Sequence, residues 1–231
     1  MNAPVEPASQ PGLSAAAADS PRTLAEAWQE FIRHGSPRIV LAALAMAVAA
    51  RVALGDWSAW DLLPLVALAA YWPLQEWLVH VFILHYRPRR VFGRELDFRV
   101  PRKHREHHRR PWQIDILFIP THSLVTGLPV LALLWFAAAP TAALALTGLV
   151  GHLTLTAHYE WVHFLLHTRY QPRTTWYRRL WRNHRLHHFK NEHYWFGVTM
   201  LGGDRLLGTA PAMQAVPTSA TCRAIAGGPA G

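Results

Sequence analysis

Histidine is where this sequence concentrates its chemistry: the chain has fifteen in 231 residues, ten of them in four short clusters. His80 and His85 stand five apart. His104, His107 and His108 form an H-x-x-H-H run, His163 and His167 stand four apart, and His184, His187 and His188 repeat H-x-x-H-H. Residues three and four apart share one face of a helix, so each H-x-x-H-H run directs three imidazoles into one volume, and His163 with His167 adds an i, i+4 pair. His80 and His85 do not share a face on a regular helix; they require a helix end or a local loosening. Ten imidazoles exceed the roughly four ligands that one zinc takes. They suit two metals, each with four or five imidazoles and a position left for water or oxygen. Imidazole serves iron, copper, zinc and nickel, so the spacing leaves the metal open. A metal-buffering tract would be contiguous and low in complexity, and a proton relay would need only one or two histidines. Cys222 is the only cysteine, which excludes an internal disulfide and any Cys-based zinc or iron–sulfur site.

The elements that must position these clusters are long and apolar. Four segments stand out, at about Ile39–Leu54, Leu62–Leu84, Ile114–Ala139 and Thr141–Leu166. Each is near or above the roughly 17 residues a spanning helix needs. The Gly55–Asp61 and Ala139–Thr141 connections are short, which predicts two helical hairpins. Neither connection carries Lys or Arg. By contrast, ten of the 23 Lys and Arg residues fall between Arg87 and Arg110, and seven more between Arg169 and Lys190. Such one-sided charge predicts an integral, multi-pass membrane protein with both termini and the histidine clusters on the cytoplasmic side. It also accounts for the net charge of +9 without nucleic acid binding. Ionisable groups at the span ends, among them Glu76, His80, His152, His158, Glu160 and His163, are costly in hydrocarbon and must face the protein interior or a ligand.

Residues 1–23 and 210–231, rich in small residues, read as disordered tails around an embedded domain at 24–209. A short amphipathic helix from Thr23 to about Arg33, with Leu24, Trp28, Phe31 and Ile32 on one side, suits a membrane surface. Over Trp176–His188 a helix would place Trp176, Leu180, His184 and His187 on one stripe, with Tyr177, Trp181 and His188 beside it. Arg178, Arg179, Arg182 and Arg185 would fall on the opposite side. The histidines therefore sort with the buried face. Glu76 and Glu160, about one turn from His80 and His163, are candidates to accept the free N–H of a ligating imidazole, as outer carboxylates do. A salt bridge to a loop arginine is the plainer alternative. His122, His152 and His193 read as packing or hydrogen-bonding residues and His34 as a surface one; Trp195 and Phe196 are candidates to line a substrate path.

These clusters, in their order, resemble the fatty acid hydroxylase superfamily, which includes sterol desaturases and carotenoid ring hydroxylases. Glu76 to His85 (EWLVHVFILH), Lys103 to Pro111, Tyr159 to His167, and His184 to His188 with Phe196–Thr199 and Asp204–Thr209 are similar to successive motifs of fatty acid 2-hydroxylases. The resemblance spans roughly residues 70–209. It implies an all-α fold of four transmembrane helices under a cytosolic histidine-rich helical cap. It also implies two iron ions (zinc being a possible substitute in purified protein), O2 as co-substrate, and ligand roles for His80, His85, His104, His107, His108, His163, His167, His184, His187 and His188. The run His158 to His163 is also similar to the H-x4-H of carotenoid ring hydroxylases, which makes His158 an alternative to His167 or an outer-layer residue.

The chemistry then expected is O2-dependent hydroxylation or desaturation of a membrane lipid, since an unactivated C–H bond is beyond acid–base catalysis. A fatty acyl or sphingolipid chain leads as substrate, ahead of a sterol or carotenoid; a non-catalytic membrane metal-binding protein is the alternative outside enzymes. About 36 residues precede the first span, too few for a fused haem domain. Electrons are therefore expected from a separate cytochrome b5-like or ferredoxin-like donor docking on the Arg-rich face.

Overall fold

The structure, a computed structural model, describes residues 20–225. Residues 1–19 and 226–231, parts of the two expected tails, lie outside them. Helix follows helix: α1 (Leu24–Phe31), α2 (Gly35–Leu54), α3 (Leu62–Leu78) running on into a π-helical turn (Val79–Leu84), α4 (Arg99–Arg109), α5 (Thr121–Ala138), α6 (Ala142–Leu166), α7 (Thr175–Phe189), and the short α8 (Gly202–Leu206) and α9 (Ala220–Ile225). The all-α expectation needs one correction. In the first basic loop β1 (Arg89–Val91) and β2 (Arg94–Leu96) pair antiparallel. Phe92 and Gly93 join them with φ of 49° and 75°, the two left-handed residues that a tight primed hairpin turn demands.

Three helical stretches are long and apolar enough to cross a membrane: Gly35–Leu54, Ala59–Leu84 and Ile114–Ala138. Their outer faces leave Met46, Val52, Val66, Val125 and Leu133 exposed. Apolar surface on this scale belongs against lipid or a partner rather than water. α6, the remaining expected span, is 25 residues long but carries His152, His158, Glu160 and His163. It is the hub of the bundle, packed against α2, α3 and α5, with Leu149, Leu153, Val162 and Leu166 buried.

The short connections predict sequence-adjacent hairpins. α5 and α6 do pack along each other, whereas α2 lies mainly on α6. A polar clasp explains the difference. Arg51, 2% exposed near the end of α2, bonds Thr147 Oγ1 of α6 (2.8 Å) and Asp61 (2.7 Å), and also donates to the Gly55 carbonyl. Asp61 in turn accepts from Thr147 Oγ1 (2.5 Å). An unpaired arginine in a spanning helix would cost about 2.5–3.5 kcal/mol or more, so pairing α2 with α6 is strongly favoured.

At the other end of the bundle, α1 starts with a Thr23–Glu26 capping box and buries Ala27 and Phe31 against Trp161, Phe118 and Phe164. Leu24 and Trp28 stay about half exposed. The reading of 210–231 as a disordered tail is corrected for 210–225. This segment folds back on α7: Ser219 N–H donates to the Lys190 carbonyl (3.0 Å), Asn191 donates to the Pro217 carbonyl (3.1 Å), and α9 buries Cys222 against the His188 carbonyl (3.2 Å). Small-residue composition hid it, because most of the contacts are made by backbone groups, one hydroxyl and one thiol of this segment.

α3 and α8 meet at Pro73. A Cβ on Gly203 would collide with the Pro73 carbonyl and lie 2.8 Å from Trp77 Cβ. Gly203→Val is therefore expected to destabilise the protein by about 1–3 kcal/mol, the usual cost of overpacking, read as a lowered thermal midpoint in detergent. An unchanged midpoint would show that α8 does not seat on α3.

Candidate metal centre

The π-helical turn resolves the awkward His80/His85 spacing. His85 N–H donates to the His80 carbonyl (3.0 Å), an i+5 bond that widens the turn and brings both rings to one side. α4 and α7 lie across the ends of α3 and α6. Each presents its H-x-x-H-H run inward, and His104, His107, His108, His184, His187 and His188 are all buried. Around α7, Leu180 and Asn183 join the buried face, while Trp176 is 51% exposed, against expectation. Arg185 also departs from the expected outer stripe. Its guanidinium lies over Trp181 (4.5 Å to the centroid), Phe189 (5.1 Å) and Trp112 (5.7 Å).

The ten clustered histidines gather as two groups of five: His80, His85, His104, His108 and His187 in one, and His107, His163, His167, His184 and His188 in the other. Within each group the candidate ligand atoms all lie within 4.8 Å of one another. The division follows helix geometry. In each H-x-x-H-H run the i, i+4 pair (His104/His108, His184/His188) serves one group, and the fourth residue (His107, His187) turns to the other. α4 and α7 thus trade one histidine each. The groups touch where the His108 and His188 rings stack at 4.2 Å and 19°.

In the first group Nε2 atoms face one another: His85–His187 at 3.2 Å, His85–His104 at 3.3 Å, His104–His108 at 3.1 Å and His108–His187 at 3.2 Å. Two nitrogens held about 2.0–2.1 Å from one ion at 90–110° are roughly 2.9–3.4 Å apart, so these spacings suit the edges of a coordination shell. The second group shows the same approach at His107–His188 (3.1 Å) and a tighter one at His167–His184 (2.7 Å). Tautomers point the same way. His80 Nδ1 lies 2.6 Å from the Phe196 carbonyl and His187 Nδ1 lies 2.7 Å from the Tyr194 carbonyl. A carbonyl only accepts, so both Nδ1 atoms carry the proton and both Nε2 lone pairs point inward. His80 Nε2 is buried with no partner. Burial pushes the imidazoles of His104, His107, His108, His167, His184, His187 and His188 well below their usual range, and neighbouring histidines push the same way. Neutral inward lone pairs fit a cation, and the donor set fits a borderline transition metal.

The two carboxylates act differently from the expectation, since neither bonds a clustered imidazole or an arginine among the described residues. Glu76, buried, accepts from Val198 N–H, Thr199 N–H (2.8 Å) and Thr199 Oγ1 (2.5 Å). It holds the loop whose Phe196 carbonyl orients His80, one step further out than foreseen. Glu160 accepts from Ser36 Oγ and from Ile119 N–H (3.1 Å), which ties α2 and the start of α5 to α6. His158 is exposed on α6 and joins neither group. His152 bonds Gln75 (3.1 Å) between Trp72 and Trp135. His34 is not a plain surface residue: it is partly buried, bonded to Glu30 (3.1 Å) and packed on Phe118.

Sequence reasoning placed Asp204 in the last family-like motif without giving it a role, and passed over Asn183. Asp204, fully buried, accepts from Phe196 N–H (2.9 Å), Gly197 N–H (2.7 Å) and Thr209 Oγ1 (2.6 Å), and Asn183 Nδ2 donates to the Trp195 (3.2 Å) and Gly197 (2.9 Å) carbonyls. The available signal for Asp204 was its place in that motif. The Phe196 ring seals the first group, 5.4 Å from both His80 and His187.

Beside the histidines lies a cavity of about 300 Å3, mostly apolar. Its wall includes one histidine of each group, His104 and His163, with Trp72, Val79, Ile83 and Tyr159 among the rest. It sits between α3 with its π turn and the 116–120 segment that leads into α5, with α4 and α6 completing the wall. Trp195 and Phe196 do not line it.

Comparison with known proteins gives a consistent picture. Residues 65–209 match the family model described as fatty acid hydroxylase. Two dihydroceramide fatty acyl 2-hydroxylases of Arabidopsis thaliana are similar, at 28% identity over 145 residues (62% of this chain, 59% of the relative) and 26% over 157 residues (67% and 64%). The chain thus spans about three fifths of the length of these relatives. Among solved structures, full-length scs7p, with only its hydroxylase domain visible, shares the fold: TM-score 0.60 at 24% identity, over 78% of this chain and 68% of that one.

If Glu76 works by holding the 196–199 loop, Glu76→Ala should weaken metal binding about 10–100-fold, as loss of outer partners does elsewhere. Glu76→Gln, which keeps an acceptor for the two backbone N–H groups, should stay near the parent. Chelator competition on purified protein measures both; equal losses would refute the acceptor role.

Proposed function

The chain belongs to the fatty acid hydroxylase family, and on that premise we propose that it is a membrane oxidoreductase that hydroxylates an acyl chain with O2. The observation that carries the proposal is the division of ten histidines into two five-membered groups beside one apolar cavity. The first group would hold one iron and the second group the other. Two iron ions, when bound, supply the electron chemistry for O2 activation that no side chain here can perform. One oxygen atom enters a C–H bond as hydroxyl and the other leaves as water, with two electrons and two protons drawn from outside. The chain's own part is placement. His80 and His187 are fixed by the Phe196 and Tyr194 carbonyls, the Phe196 ring excludes water, and the cavity wall at His104 and His163 sets which carbon is presented.

An acyl chain, free or amide-linked as in a sphingolipid, is the substrate this reading favours. The acyl 2-hydroxylase relatives and the apolar lining of the cavity support it. In this reading α2, α3, α5 and α6 all cross the bilayer, α2 joined to α3 and α5 to α6 by short connections although α2 packs mainly on α6, and residues 24–209 form the embedded domain. The histidines and both termini lie on the cytoplasmic side, in keeping with basic residues crowded around α4 and α7. Electrons come from a separate cytochrome b5-like or ferredoxin-like carrier. α7 offers such a partner Arg178, Arg179 and Arg182, all exposed, and contains no Asp or Glu.

The test pairs metal content with product. In iron-loaded protein, His187→Ala is expected to lower bound iron from two to about one per chain, and to abolish hydroxylated lipid in expressing cells. Unchanged iron content, or oxidised lipid at the parental level, would overturn the assignment.

A further inference from the structure

Lys103 is the one lysine or arginine in the wall of the cavity. It sits on α4 immediately before His104, half-buried, and its ammonium donates to the Phe118 carbonyl (2.9 Å). That bond uses one of its three donors. No carboxylate among the described residues pairs with it. The fields of Glu160, Asp115 and Glu106 reach it, but none of the three bonds it; Glu160 takes Ser36 Oγ and Ile119 N–H on one oxygen and leaves the other without a partner. The neighbouring Leu117 carbonyl faces the His163 ring, so the Phe118 carbonyl places the ammonium one residue from a histidine of the second group. Around it the lining is apolar: Val100, Ile116, Ile119, Val79 and Ile83. A charged group with donors to spare in such a wall, and no carboxylate bonded to it, is suited to an oxygen brought in by a ligand.

We infer that Lys103 is the head-group anchor of this cavity: its ammonium takes the carbonyl or carboxylate oxygen of an acyl ligand. This rests on the acyl hydroxylase reading and deepens it. With the head held at Lys103, the adjacent carbons lie along the wall formed by His104 and His163. The rest of the chain runs past Val79 and Ile83, which are 36% and 50% exposed and open the cavity between α3 with its π turn and the 116–120 segment. Lys103 is then a determinant of which carbon is oxidised, through the oxygen it holds.

The test uses the full chain loaded with zinc, which binds without turnover, so it stands even if no oxidised lipid is found. Binding of palmitate, N-palmitoyl-sphinganine and hexadecanol is compared in detergent for the parent, Lys103→Met and Lys103→Arg, with bound metal measured in each. Loss of a charge-assisted hydrogen bond predicts at least about tenfold weaker binding, in Lys103→Met, of whichever ligand offers the carboxylate or carbonyl oxygen that Lys103 holds. Hexadecanol, with neither a carbonyl nor a carboxylate, should change little, and Lys103→Arg should stay within a few-fold of the parent. A selective loss for palmitate points to a carboxylate, and one for the amide points to a carbonyl. Equal losses for all three ligands, or none, overturn the inference. So does a Lys103→Arg variant that discriminates no better than Lys103→Met while retaining its metal. In active iron enzyme, Lys103→Met should also scatter the hydroxyl over several carbons; a single unchanged position counts against the anchor.

Discussion

Ten neutral imidazoles turned toward one another inside a protein are the constraint on which the rest of this structure depends. The Nε2 atoms stand 3.1–3.3 Å apart, a spacing that a cation between them or an N–H···N bond can satisfy, burial disfavours protonating the rings, and the His80 and His187 lone pairs are committed inward by their Nδ1–H bonds. The arrangement is therefore meaningful as a place for metal. Everything around it can be understood as holding rings in positions they would not choose alone.

That holding is done from outside the histidine shell. The first group is steadied by a single loop, in which the Tyr194 and Phe196 carbonyls take ring protons. The loop has little regular structure, so its own amides need partners. Glu76 and Asp204 supply them, one from a spanning helix and one from α8, with Asn183 bonding the loop's carbonyls. Buried carboxylates are costly unless fully hydrogen-bonded, and each bond to such a charge is worth about 1.5–3 kcal/mol. Here the same bonds that keep the carboxylates inside also aim the imidazoles. The second group takes two of its rings, His163 and His167, from the end of α6, the most buried helix of the bundle.

The cavity belongs to the same logic. α3 and the 116–120 segment before α5 are held apart, and the gap between them opens beside one histidine from each group. An apolar cavity and two histidine groups that could hold metal thus share a wall. Exposed apolar surface on α2, α3 and α5, helices long and apolar enough to cross a membrane, surrounds that gap.

Much of this was legible in the chain itself. Histidine spacing declared which residues would converge, because a helical period leaves H-x-x-H-H no other face to share; the family resemblance was borne out by the match over residues 65–209. Long apolar runs declared the helices, since three of them satisfy length and composition alone. What needed tertiary structure was every relation between distant residues. The trade of His107 and His187 between groups depends on how α4 and α7 cross. The π turn at His80 and His85 depends on the neighbours that tolerate it. The roles of Glu76, Glu160 and Asp204 depend on which backbone amides lie within reach, some over a hundred residues away. Periodicity is a property of neighbours in sequence and can be read there; hydrogen bonds and coordination shells are set by distances in space, which only the packed chain decides.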